Sequence, residues 1–140
     1  MHTCTNFNST QLRLNLGDYK VSTVKARGVK RWLKACQYSW QGLLFAWRNE
    51  TAFQQESLAL LVLLPLALWW PETALESAIL VLSLFVVLIA ELLNTGIEAA
   101  VNRHGDERHH WSGVAKDVAS AAVLLALLQC VLVWGLVLFF

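Results

Sequence analysis

The chain has 140 residues, of which 56% are apolar and 15% charged, and its net charge is +1. That length suits one domain, and the apolar content exceeds what a soluble domain of this size needs, so a membrane protein is expected. A net charge this close to zero argues against nucleic acid as a partner and leaves the distribution of charge to decide.

Residues 1–28 mix Asn, Thr, Asp, Lys and Arg with no helical or strand period and no apolar run of seven. They read as a flexible extension, not as a cleaved signal peptide. A helix over about 29–48 follows. Val29, Trp32, Leu33, Cys36, Trp40, Leu43 and Trp47 recur at steps of three and four, while Lys30, Arg31, Lys34, Gln37 and Gln41 fill the opposite arc. That is the pattern of a basic amphipathic helix lying in a membrane surface.

Three membrane spans are expected at about 50–70, 73–101 and 118–140, each near the roughly 20 helical residues that cross a hydrocarbon core of about 30 Å. The strictly apolar part of the first is Leu58 to Trp70. Glu50, Gln54, Gln55 and Glu56 therefore belong at an interface or inside a bundle, and Pro65 is expected to kink the helix. No β pattern competes. Eight Lys and Arg precede Thr51 and three lie between Asn102 and Asp117, whereas the acidic link Trp70 to Glu76 has none. The positive-inside rule then places the N-terminus and the second link in the cytoplasm, with the acidic link and the C-terminus on the opposite side. Trp47, Trp69, Trp70, Trp111 and Trp134 fall near span ends, where an indole keeps its ring apolar and its N–H wet.

The second expected span carries ELLNTGIEAAVN after an uncharged run from Ser77 to Ala90. Glu91, Asn94, Glu98 and Asn102 stand at i, i+3, i+7 and i+11, so they line one helix face. The two glutamates are separated by roughly 10 Å along the axis, with Glu98 near the surface and Glu91 about two turns deeper. An ionisable group at that depth must face protein, water or a metal, and it marks a functional site by default. Glu50 and Glu56 of the first span and Lys116, Asp117 and Ser120 at the start of the third reach the same level. Carboxylates and a lysine at one depth suit a hard, oxygen-liganded ion such as Mg²⁺ together with a substrate's phosphates. The sequence has no G-x-x-x-x-G-K-[ST] and no G-x-G-x-x-G, so side chains of packed helices would have to hold any nucleotide. On spacing alone, a proton or cation carrier, or a hydrogen-bonded seam in an oligomer, accounts for the same residues.

The segments YSWQGLLFAWRNETAFQQE (Tyr38 to Glu56), ELLNTGIEAAVNR (Glu91 to Arg103) and GVAKDVASAAVLLALL (Gly113 to Leu128) resemble the prokaryotic diacylglycerol kinase family, from about Val29 to the end. The resemblance implies an all-α, homotrimeric helical bundle in the bacterial cytoplasmic (inner) membrane. Residues 29–140 would form the kinase domain, with one amphipathic surface helix and three transmembrane helices per chain. It implies transfer of the γ-phosphoryl of ATP to the hydroxyl of diacylglycerol, giving phosphatidic acid, with Mg²⁺ as cofactor and ATP, diacylglycerol and membrane lipids as partners.

The same resemblance assigns residues. Glu91 would accept the hydroxyl proton, with Asn94 orienting Glu91 or the hydroxyl. Glu50 and Glu98 would hold Mg²⁺ on the ATP phosphates, and both count among the nucleotide contacts with Arg31, Tyr38, Glu107, Arg108, His109, Lys116 and Asp117. Lipid-contacting positions would be Arg31, Ala35, Cys36, Gln37, Tyr38, Ser39, Trp40, Leu44, Phe45, Ala46, Trp47, Ala52, Phe53, Gln54, Gln55, Glu56, Trp69, Glu91 and Ser120. Three positions depart from the family's pattern. Asn102 stands where Asp is usual, Arg108 where an uncharged or aromatic residue is common, and Trp111 where a smaller apolar one is. His104, His109 and His110 read as solvated or nucleotide-adjacent, and Cys4, Cys36 and Cys130 lack any metal-ligand or disulfide spacing. Undecaprenol kinase is a sister reading with the same acidic face. A non-enzymatic or cation-conducting membrane protein is the reading from another class.

Overall fold

The computed structural model describes residues 29–103 and 110–139. Among them the elements are four helices: α1 (Val29–Asn49), α2 (Thr51–Trp69), α3 (Ala74–Asn102) and α4 (His110–Phe139). The extension over residues 1–28 and the loop residues Glu107, Arg108 and His109 lie outside the described residues. The chain divides at Gly42 into two compact units, the first contributing the N-terminal part of α1. Along α1 the apolar stripe stays uncovered, with Val29, Trp32, Leu33, Trp40 and Trp47 all exposed.

Within the second unit, the corner between α1 and α2 is a single residue. Glu50 N–H still donates to Ala46 O at 2.8 Å, completing α1, while Glu50 O accepts from Gln54 N–H at 3.2 Å and opens α2. Glu50 itself is extended, at φ −113° and ψ 110°. Two side chains tie the corner: Asn49 Nδ2 donates to Phe45 O at 2.7 Å, and Gln54 Nε2 donates to Trp47 O at 2.6 Å. Ala46 beneath it is buried. Pro65 sits inside a helix that runs on unbroken to Trp69, which membrane helices tolerate better than soluble ones do.

Residues 70–73 then turn the chain into α3, whose start is written in the sequence as Thr73-x-x-Glu76. Thr73 Oγ1 accepts from Glu76 N–H at 3.2 Å, and Glu76 Oε2 accepts from the N–H groups of Thr73 and Glu72 at 3.3 and 3.1 Å. This reciprocal cap satisfies N–H donors that have no partner within the helix. At 29 residues, α3 is roughly 43 Å long, more than the hydrocarbon core requires, so its ends must project.

α3 is the central helix: it packs most extensively on α4 and also on α2, while among the described residues α2 and α4 do not pack on each other. Its buried residues, Leu80, Ser83, Leu84, Val87, Glu91 and Thr95, form one stripe at steps of three and four. Small residues let α4 approach, with Ala119 and Ala126 buried, and Ser83 Oγ lies 3.6 Å from Cys130 Sγ across the seam. The helix α4 begins at His110, ahead of the Val118 at which the third span is expected, because its first turns mix Trp111, Val114 and Ala115 with polar and charged residues, and the uncharged run that marks a span starts only at Val118. α2, α3 and α4 are each long and apolar enough to cross a membrane.

Candidate active site: the acidic continuation of the α3 stripe

The stripe that buries α3 is uncharged from Leu80 to Val87, with Ser83 its one polar member there, and becomes acidic at Glu91 without changing face. That answers where the carboxylates go: they point into protein. Glu91 is 4% exposed, Asn94 and Glu98 are half-buried, and Asn102 is exposed, so the polar face runs from the interior to the end of the helix. A carboxylate at such depth costs about 2.5–3.5 kcal/mol or more in an apolar span, which makes an idle one there expensive.

Two further carboxylates meet this face. Glu50, at the corner before α2, is within electrostatic reach of Glu98 and Glu91, and Glu56, on α2, is within reach of Glu91. Burial pushes the Glu50 carboxyl above the usual carboxylate range, and the negative charges of Glu98 and then Glu91 add to the shift. Several oxygens remain ready to accept: Glu56 Oε2, Asn94 Oδ1 and Thr95 Oγ1 are buried with no hydrogen-bond partner among the described residues. The site is therefore rich in acceptors and in negative charge, and suits a cation or a hydroxyl donor.

The structure brings together Glu50, Glu56, Glu91, Asn94 and Glu98. Asn94 is bound to Glu98, not to Glu91: its Nδ2 donates to Glu98 Oε1 at 3.3 Å. At the end of α3, Lys116 Nζ donates to Asn102 Oδ1 at 2.7 Å. Asp117 and Ser120 are exposed on α4. Among the remaining positions, Phe53 and Ala46 are buried, Leu44, Phe45 and Gln54 are half-buried, and Trp47, Ala52 and Gln55 are exposed. Arg31, Ala35, Cys36, Gln37, Tyr38, Ser39 and Trp40 lie on α1 in the first unit, where Tyr38 is half-buried and the rest exposed. Trp69 is at the opposite end of α2 from Glu50, beside an apolar depression formed with Leu64, Pro65 and Leu68.

Thr95 is a polar member of this face that sequence reasoning passed over. Its position four residues after Glu91 was the available signal, since i and i+4 share a face.

The donor set fits Mg²⁺ in one respect that decides how it would be held. All the clustered donors are oxygens, as a hard cation requires, yet among the described residues no three acidic, His or Cys side chains close into a cage. Such an ion would thus take one or two carboxylates and fill its shell from phosphate and water, its usual mode.

The family model for prokaryotic diacylglycerol kinase matches residues 37–138. A diacylglycerol kinase from Escherichia coli (strain K12) is 46% identical over 111 residues, covering 79% of this chain and 91% of that protein. One from Haemophilus influenzae is 42% identical over 116 residues, 83% of this chain and 98% of its own length. One from Helicobacter pylori (strain 26695) is 41% identical over 120 residues, 86% and 93% of the two chains. The matched range contains the α3 face, both carboxylates of the α2 side and the Lys116 turn, and on these grounds the chain belongs to the prokaryotic diacylglycerol kinase family and is a membrane-embedded kinase.

Proposed function

We propose that the chain transfers the γ-phosphoryl of ATP to the free hydroxyl of diacylglycerol, giving phosphatidic acid and ADP, as a homotrimer in the bacterial cytoplasmic membrane. The observation that carries this reading is Glu91, a carboxylate buried on an otherwise uncharged stripe and near further acceptors. In this reading that carboxylate would lie at the level of a lipid's glycerol, so the acceptor hydroxyl need not leave the membrane.

In this reading Glu91 takes the proton as the hydroxyl oxygen forms its bond to the γ-phosphorus, and the bond to the β–γ bridging oxygen breaks. Glu50 and Glu98 would hold Mg²⁺, which when bound supplies charge neutralisation on the phosphates. The Asn94 to Glu98 hydrogen bond supports a role for Asn94 in fixing that carboxylate, while its free Oδ1 remains an acceptor for the hydroxyl. Lys116, with Asp117, Arg31, Tyr38, Glu107, Arg108 and His109, would meet the nucleotide. The residues of α1 and the start of α2 would meet the lipid. Exposed apolar side chains such as Leu125, Val131 and Leu132 on α4 would face lipid or sister subunits. Residues 29–140 form the kinase domain in this reading, with the cationic N-terminal part and the loop after Asn102 on the cytoplasmic side and the C-terminus opposite.

The test is transfer of label from [γ-³²P]ATP to diacylglycerol by purified protein in mixed micelles. Labelled phosphatidic acid is the expected product; its absence with folded protein would defeat the reading. Undecaprenol offered in the same micelles should compete poorly.

A further inference from the structure

We propose that Asn102 is a positioning residue for nucleotide binding, holding the Lys116 ammonium toward phosphate without neutralising it. The inference rests on the reading of Lys116 as a phosphate contact and adds what sets that lysine's place and charge.

The bond from Lys116 Nζ to Asn102 Oδ1, 2.7 Å long, joins the last residue of α3 to the second turn of α4. A lysine stem is among the most mobile of side chains, so an unanchored ammonium would be spread over many positions. The bond uses one of its three N–H donors and leaves two to meet phosphate oxygens. Because the acceptor is a neutral amide, this bond does not itself compensate the positive charge, and among the described residues Lys116 forms no ion pair.

Two further features make a neutral residue at 102 fitting. The last turn of α3 presents the negative end of the helix dipole, which already favours a cation there. Glu98 lies one turn back on the same face, so a carboxylate at 102 would add a like charge at i+4 to a cluster already rich in them. Asn102 therefore supplies aim without spending the charge that phosphate needs.

The experiment compares Lys116→Met, Asn102→Asp and Asn102→Ala in the full chain. It measures initial rates against ATP and against diacylglycerol, equilibrium ATP binding, and melting temperature in detergent. Lys116→Met should raise KM for ATP and weaken ATP binding. Asn102→Asp should raise KM for ATP about three- to tenfold with kcat within about twofold, and the deficit should shrink as salt is raised, as expected when one exposed charge competes with phosphate. Asn102→Ala should give a smaller rise with little salt dependence, and KM for diacylglycerol should hold in both Asn102 variants. Unchanged or lower KM for ATP in Asn102→Asp, with Lys116→Met impaired, would overturn the role of Asn102 alone. No effect of Lys116→Met would overturn the phosphate reading beneath it. A lowered melting temperature with equal losses toward both substrates in both Asn102 variants would make the bond a helix tie and overturn the inference.

Discussion

Glu91 tests the chemistry at one atom. Glu91→Gln keeps the shape and removes the base, so kcat should fall by about 10²–10⁴-fold, while equilibrium Mg-ATP binding is largely kept. Glu98→Gln should instead shift the Mg²⁺ requirement upward at a smaller cost in saturated rate, and equal small losses at both positions would contradict the division of roles. Glu50 carries a sign that can be checked without turnover. Its folded-state carboxyl is raised by burial and by Glu98 and Glu91, so between the ordinary carboxylate value and the raised one the folded chain holds more proton than the unfolded chain. Stability of metal-free protein should therefore fall as pH rises through that window and stay lower above it. Glu50→Gln should flatten that slope and raise the melting temperature at neutral pH. It should also reduce the stabilisation gained on adding Mg²⁺, which a pH series of thermal melts with and without the ion would measure.

At the scale of elements, the Thr73–Glu76 box is structural and remote from the acidic face. Thr73→Ala should lower stability by about 0.5–2 kcal/mol and leave kcat and both KM values near wild type; a specific loss of activity would tie the α2–α3 turn to the site. The helices were legible to different degrees for physical reasons. The spans α2 and α3 were readable because hydrocarbon demands long apolar runs, and α1 because three- and four-residue steps separate its apolar and basic arcs. The first turns of α4 were not, since Trp111, Val114 and Ala115 are interspersed there with His110, Ser112, Gly113, Lys116 and Asp117, and the long uncharged run begins only at Val118. On α3 itself, the shared face of Glu91, Asn94 and Glu98 followed from spacing. The choice of Asn94 to bond Glu98 did not, because i+3 and i+4 neighbours are equally near and only the rotamer decides.

For the whole molecule, the site draws on contacts that no single helix encodes. That Glu56 approaches Glu91 depends on how α2 is rotated against α3, and that Lys116 meets Asn102 depends on the register in which α4 packs along α3. Neither pairing is written in one-dimensional periodicity: the sequence puts Glu56 and Lys116 at the depth of the acidic face, and the resemblance reads Glu56 as a lipid contact and Asn102 as a departure, but only packing sets which side chains meet. The proposed trimer is checked by native mass spectrometry in detergent or nanodiscs, where a trimer mass is expected for wild type and for Glu91→Gln alike. Loss of the oligomer in that variant would turn the carboxylate into an assembly element.

The short turn over residues 70–73 bears on how such a chain enters a bilayer. Its extended reach, about 13–14 Å, is less than half the thickness of the hydrocarbon, so α2 cannot be threaded fully across and leave α3 waiting outside. The pair must insert together as a helical hairpin. In the proposed orientation its tip carries Glu72 and Glu76 across with no Lys or Arg to retain it, while the arginine-bearing segment before Thr51 anchors the open end during biogenesis.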